Sequence, residues 1–206
     1  MAAAQLGSVE YAAGNYEKAR RLLGQAASQG SPKAQHNLAT MHRNGEGGPK
    51  NFSEARRLFG EAVAHDHAGA QRCLGLMHLR GEGGPDNPEE ARRLFGLAVA
   101  KGHAESQYFL AALICEGAGG AKDVVEARRL FGLAAAQGHS LAQNNLGSMF
   151  KEGNGGQKDL VEARRLFTLA AAQGYSNAQF NLAAMHLQGE GGPPDVVEAR
   201  RRFTLA

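Results

Sequence analysis

No run of about eighteen or more apolar residues occurs anywhere in the 206-residue sequence, so no segment reads as a membrane-spanning helix. Cysteine is scarce: Cys73 and Cys115 are the only two, at different registers, which excludes a repeating disulfide framework and favours a reducing compartment such as the cytoplasm. The opening "MAAAQLGSVEYAAG" lacks the basic stretch followed by an apolar run that marks a secretory signal. Charge of neither sign dominates. The formal net charge is +3 and the pI is near 9.0, a mildly basic balance that assists an acidic partner without requiring one.

What the sequence has in abundance is itself. Ala-Arg-Arg or its near copy recurs at Ala19, Ala55, Ala91, Ala127, Ala163 and Ala199, always 36 residues apart. A unit this short cannot bury its own apolar face, so successive copies must stack and share a core.

Each unit divides into two helices. Asn51, Asn87, Asp123, Asp159 and Asp195 share one register, and Glu54, Glu90, Glu126, Glu162 and Glu198 follow three residues later, the pattern of a capping box opening the second helix. Along that helix Ala55, Leu58, Phe59, Ala62 and Val63 form one buried stripe. Gly30, Gly102, Gly138 and Gly174 close it, with Asp66 at the same register in the second unit. The first helix runs through Ala34, Gln35, Leu38 and Met41, and stops at Gly45, after which a glycine-rich segment such as "GEGGPKN" connects the pair.

The pattern Ala-Gln-x-x-Leu-(Gly/Ala)-x-Met, then Gly-x-Gly-Gly-x-x-Asp, then Glu-Ala-x-x-x-Phe-x-x-Ala-Ala-x-Gln-Gly resembles the Sel-one-like repeat, a relative of the tetratricopeptide repeat. The resemblance covers nearly the whole chain. It implies an all-α fold, an α-α superhelix in which antiparallel helix pairs form a right-handed solenoid, and the role of a scaffold or adaptor that holds other proteins. On this reading residues 1–206 form a single solenoid domain of about six repeats. There is no tryptophan, where relatives often carry an aromatic. The first unit, "YAAGNYEKA" at its centre, lacks about four loop residues, and the last is incomplete. Neither end shows the polar cap that terminal repeats carry, so association through the ends, or a longer array, is expected.

Residues that differ between copies are free to meet a partner. A rotation of 100° per residue places one side of the first helix opposite the Ala34, Leu38, Met41 stripe. By the resemblance this side lines the concave surface. The expected partner contacts are His36 and Arg43, then Arg72, Leu76 and Leu79, then Tyr108, then Asn144 and Lys151, and finally Phe180 and Leu187. Apolar and aromatic side chains beside arginine and lysine compose a protein-binding groove. Asn37, Asn145 and Asn181 share another register and are expected to bond neighbouring helices, although related domains use such asparagines to hold a peptide backbone.

Other chemistries have thinner support. The second arginine of each pair lies three residues after the capping glutamate, suited to an exposed ion pair, and no regular aromatic interleaving supports stacking of bases, so no nucleic-acid partner is expected. Histidines stand in columns, His67, His103 and His139 between units and His42, His78 and His186 on first helices, separated by whole repeats rather than by metal-ligand spacing. No metal or cofactor is expected. Ser148-x-x-Lys151 fits the pattern of penicillin-recognising enzymes, and a cysteine-rich branch of the resembled family is linked to penicillin binding, but no Lys-Thr-Gly companion exists. A β-lactam-handling enzyme and a basic nucleic-acid surface are the alternatives to a non-enzymatic scaffold.

Overall fold

In the computed structural model, which describes residues 2–205, all regular structure among the described residues is α-helical. The chain divides between Lys101 and Gly102 into two compact units. The N-terminal unit holds α1 (Ala2–Ala12), α2 (Tyr16–Ser28), α3 (Pro32–Asn44), α4 (Phe52–Ala64), α5 (Ala68–Arg80) and α6 (Pro88–Val99). The C-terminal unit holds α7 (Ala104–Glu116), α8 (Val124–Ala136), α9 (Ser140–Glu152), α10 (Leu160–Ala172), α11 (Ser176–Gln188) and α12 (Val196–Leu205). Odd-numbered helices are the first (A) helix of each hairpin and even-numbered ones the second (B). Within each unit every helix packs on its sequence neighbours. The α1–α2 connection has three residues where the other hairpins use seven, the four-residue deficit anticipated from the first repeat.

Small residues let the helices approach. Ala19, Ala55 and Ala91 on B helices and Ala34 and Ala70 on A helices are fully buried, and Ala127, Ala163, Ala142 and Ala178 repeat this in the C-terminal unit. Around them pack Leu23, Leu38, Met41, Leu58, Phe59, Met77 and Leu94 in one unit, and Leu130, Phe131, Met149, Phe167, Leu182 and Met185 in the other. Ser106 takes the alanine register on α7; it is fully buried and its hydroxyl has no hydrogen-bond partner.

The caps form by half. Asn51, Asn87, Asp123, Asp159 and Asp195 each accept from the backbone N–H three residues on, at 2.9–3.0 Å. The reciprocal bond expected of a capping box is absent because the cap's own N–H is already taken by an A-helix carbonyl, as in Asn51 to His42 at 2.8 Å and Asp159 to Phe150 at 2.9 Å. Each glutamate instead binds the second arginine, three residues later: Arg93 to Glu90, Arg129 to Glu126 and Arg165 to Glu162, all at 2.7 Å. Asp66 has φ 57°, a left-handed conformation at the register where Gly30, Gly102, Gly138 and Gly174 have φ between 78° and 86°.

The first arginine of the pair clamps the next hairpin. Arg128 on α8 donates to the carbonyls of Asn154 and Gln157 at 3.1 and 2.9 Å, and lies 4.0 Å over the Phe150 ring. Arg20, Arg56 and Arg164 reach Nδ1 of His42, His78 and His186, at 2.6, 2.7 and 2.5 Å, and Arg20 and Arg56 also donate to the loop carbonyls of Pro49 and Pro85, at 3.4 and 3.3 Å. Since a guanidinium only donates, the histidine must accept and be neutral. Burial, followed by the adjacent guanidinium, pushes these imidazoles below their ordinary value of 6.5. The loop lies close enough to the preceding B helix that a Cβ on Gly155 would sit 2.5 Å from the Val124 carbonyl oxygen.

Candidate interaction surface

The A helices carry the residues whose identity differs between repeats, and packing decides which of them remain open. In the N-terminal unit His36 on α3 stacks on His67, the N-cap residue of α5, with ring centroids 4.8 Å apart, and tilts against Phe59 at 5.6 Å. Its Nδ1 meets Asn37 Oδ1 at 3.2 Å and its Nε2 lies 3.8 Å from Cys73 Sγ. Burial therefore lowers its pKa, against the raising effect of the Asn37 bond. Beside it Ser8, Tyr11, His36, Asn37 and Thr40 line a recess of about 160 Å³.

Arg43 forms a two-toothed ion pair with Glu82 of the next loop, at 2.7 and 3.2 Å, which holds the carboxyl below the usual range. Arg72 and Leu79 are half-buried. Leu76, expected on the open face, is only 7% exposed.

The C-terminal unit repeats the arrangement with other side chains. Tyr108 on α7 stacks on His139 at 4.8 Å and packs against Phe109 and Phe131, and burial raises its phenol pKa. Asn144 is 7% exposed; its Oδ1 accepts from Asn181 at 3.0 Å, so this asparagine ties α9 to α11 rather than facing outward. Asn37 likewise reaches Ser8 Oγ on α1 at 3.4 Å, the inter-helix role expected of its column. Lys151 pairs with Glu190 at 2.7 Å. Phe180 and Leu187 on α11 stand 56% and 51% exposed, and the Phe180 ring meets Phe203 edge-on at 5.4 Å.

The expected contact residues thus separate into two kinds. His36, Arg43, Tyr108, Asn144 and Lys151 are engaged with the following repeat and Arg72, Leu76 and Leu79 are buried or half-buried, whereas Phe180 and Leu187, on the last A helix, are open to solvent. The loop glutamates were missed. Arg43 to Glu82 and Lys151 to Glu190 both span 39 positions, and Tyr11 to Glu46, at 3.2 Å, spans 35, the same pairing shortened by the four missing loop residues. That constant offset of opposite or complementary groups was the available signal.

The remaining motifs have structural commitments. Ser148 donates to the Asn144 carbonyl at 3.3 Å while Lys151 holds Glu190, so the Ser-x-x-Lys spacing makes no nucleophile and base pair. His67 and His139 cap A helices through Nδ1, accepting from Ala70 and Ala142 at 3.1 and 3.2 Å. Among the described residues, no three of His, Cys, Asp and Glu are grouped to hold a metal ion, and no helix is long and apolar enough to cross a membrane.

Comparison with known proteins places this geometry. The family described as "Sel1 repeat" matches over residues 1–31, 32–67, 68–103, 104–139, 140–175 and 176–201. The crystal structure of a Sel1 repeat protein from Oxalobacter formigenes is similar, with 30% identity over 98% of this chain and 81% of that one, at a TM-score of 0.93. A protective antigen of uropathogenic Escherichia coli with the SLR fold is 27% identical over 99% of this chain, at a TM-score of 0.92, and this chain spans 44% of its length. An immunity protein from Pseudomonas aeruginosa, 21% identical over 92% of this chain and 73% of that one at a TM-score of 0.56, shares the fold. No functionally curated protein matches.

Proposed function

From the premise that this chain belongs to the Sel1 repeat family, we propose that it is a non-enzymatic interaction scaffold that receives a protein or peptide partner on its A-helix face. Proteins of this family generally hold other proteins together. The single observation that carries the finer reading is that the A-helix register of His36, Arg72, Tyr108, Asn144 and Phe180 changes side chain in every repeat while the buried register of Leu38, Leu74, Leu110, Leu146 and Leu182 stays leucine. Single exposed apolar residues are ordinary. A register that varies among histidine, arginine, tyrosine, asparagine and phenylalanine offers side chains of the kind that anchor partners.

The mechanism is preorganisation. Side chains already fixed by stacking and ion pairs, such as Tyr108 on His139 and Lys151 on Glu190, lose little further freedom when a partner binds. Because those ion pairs neutralise the basic residues, the face offers shape and apolar area before it offers charge. Neither Cys73 nor Cys115 is joined in a disulfide, which suits a reducing, cytoplasmic setting.

Affinity capture from native extract tests the reading. Wild type is compared with a variant carrying Tyr108→Ala, Phe180→Ala and Leu187→Ala, matched for helicity. Specific partners should be lost from the variant; an identical capture profile rejects the A-helix face.

A further inference from the structure

Every complete A helix carries a buried glutamine one residue after its small-residue contact: Gln35, Gln71, Gln107, Gln143 and Gln179. The side-chain nitrogen reaches back to the preceding B helix. Gln35, Gln143 and Gln179 donate to the carbonyls of Ala27, Ala135 and Ala171 at 3.5, 3.2 and 3.5 Å. For Gln107 and Gln143 the side-chain oxygen is satisfied too, because the residue thirty positions on is another glutamine; Gln179 Oε1 has no hydrogen-bond partner. Gln137 and Gln173, the C-caps of α8 and α10, donate to Gln107 Oε1 and Gln143 Oε1, both at 2.8 Å.

The α3–α4 hairpin departs from this scheme at two positions together. Thirty residues after Gln35 stands His65, and Gln35 Oε1, on a side chain only 4% exposed, has no hydrogen-bond partner; Gln71 Oε1, thirty residues before Lys101, and Gln179 Oε1 lack one as well, so what sets Gln35 apart is its surroundings. The orientation of the amide is fixed, since its nitrogen faces two acceptors, Ala27 O and Glu61 Oε2 at 3.5 and 3.2 Å, and a flip would set oxygen against oxygen. Glu61 is the second departure: Leu97, Leu133 and Leu169 occupy its register in later B helices.

Gln35 lines a groove of about 670 Å³ between α2 and α4, whose floor includes Leu38, Leu58 and Gly24 and whose rim carries Glu61 and His65. Gly24 opens that floor, since a Cβ built there meets nothing within 4 Å. A buried acceptor without a donor is unfavourable and rare in native structures.

We propose that this groove seats a peptide segment of a partner protein, which inserts an asparagine or glutamine side chain and donates its amide N–H to Gln35 Oε1. The chemistry follows from the C-terminal unit, where the carboxamide of Gln173 does this for Gln143. A charged donor is disfavoured because Arg57 and Glu61 already neutralise each other at the rim. The proposal rests on the scaffold reading but on a different surface, the B-helix side of the N-terminal unit.

His65→Gln is the decisive variant, for it supplies the missing donor from within, at a C-cap register where glutamine occurs three times elsewhere in the chain, at Gln29, Gln137 and Gln173. The probe is a random-peptide phage library panned against wild-type protein, followed by calorimetry with the best synthetic peptide. Enriched peptides should share an asparagine or glutamine. The chosen peptide should bind His65→Gln about five- to tenfold more weakly than wild type, and lose about as much when its carboxamide residue becomes leucine. Its affinity for the Tyr108, Phe180 and Leu187 variant should be unchanged, which separates this groove from the A-helix face. The unfolding midpoint of His65→Gln should equal or exceed that of wild type, so that weaker binding is not a failure to fold. Absence of enriched peptides, a consensus without carboxamide or built on lysine, or equal affinity for His65→Gln overturns the proposal.

Discussion

Separate replacement of Gly155 and Gly174 by alanine distinguishes two reasons for glycine that look alike in the sequence. Both residues are left-handed, with φ 69° and 81°. An alanine at either position costs about 1–2 kcal/mol for that conformation. At Gly174 the cost ends there, because a Cβ would meet nothing within 4 Å. At Gly155 the added carbon would lie 2.5 Å from the Val124 carbonyl oxygen and 3.0 Å from its carbon, and backbone cannot swing aside as a side chain can. The loop has to lift from α8. Overpacking of this kind adds about 1–3 kcal/mol, and lifting also strains the bonds from Arg128 to Asn154 and Gln157, each a net contribution of about 1 kcal/mol. Gly155→Ala should therefore lose about 3–5 kcal/mol and Gly174→Ala about 1–2 kcal/mol. Urea titrations followed by circular dichroism at constant protein concentration measure both. Equal losses would refute the claim that the glycine loop is seated against the preceding B helix.

Three further outcomes follow from the same packing. Ser106→Ala should stabilise the protein by about 1 kcal/mol, since it removes a buried hydroxyl without a partner at a register otherwise filled by alanine; a lower unfolding midpoint would show that the hydroxyl has a stabilising role. The imidazoles of His36, His42, His78, His139 and His186 all lie below their ordinary 6.5 in the folded chain. The unfolded state therefore takes up protons first, so the stability these groups carry is present above about pH 6.5 and is lost as the pH falls through their folded values. Urea midpoints should fall between about pH 7.5 and 5.5, and replacing His42, His78 and His186 by glutamine, a neutral acceptor for the arginines, should flatten the fall; an unchanged slope would contradict the neutral-acceptor assignment.

Much of the fold was legible because repetition multiplies weak local signals. The 36-residue interval, the Asn and Asp caps, and the left-handed Asp66, the single non-glycine one among the described residues, all depend on neighbours within a few residues, and all appear where the sequence places them. The capping-box return bond fails for a long-range reason, since the cap N–H is claimed by a carbonyl of the partner helix. The same limit governs the surface. A helical wheel orients Asn144 away from its own hairpin, but only the adjacent repeat, through Asn181, decides that it is covered. Likewise Arg43 and Lys151 read as free positive charge until the loops bring Glu82 and Glu190 to them. The histidine columns were visible as columns, while their division into arginine acceptors and helix caps depends on which nitrogen faces which neighbour.

Photocrosslinking from a single site tests the scaffold role most directly. A benzophenone amino acid placed at position 180, 56% exposed on A helix α11, is compared in living cells with the same group at position 125, 67% exposed on B helix α8. A partner that docks on the A-helix face should be captured from position 180 and not from position 125. Adducts of equal yield from both positions, or from position 125 alone, would contradict the proposed face.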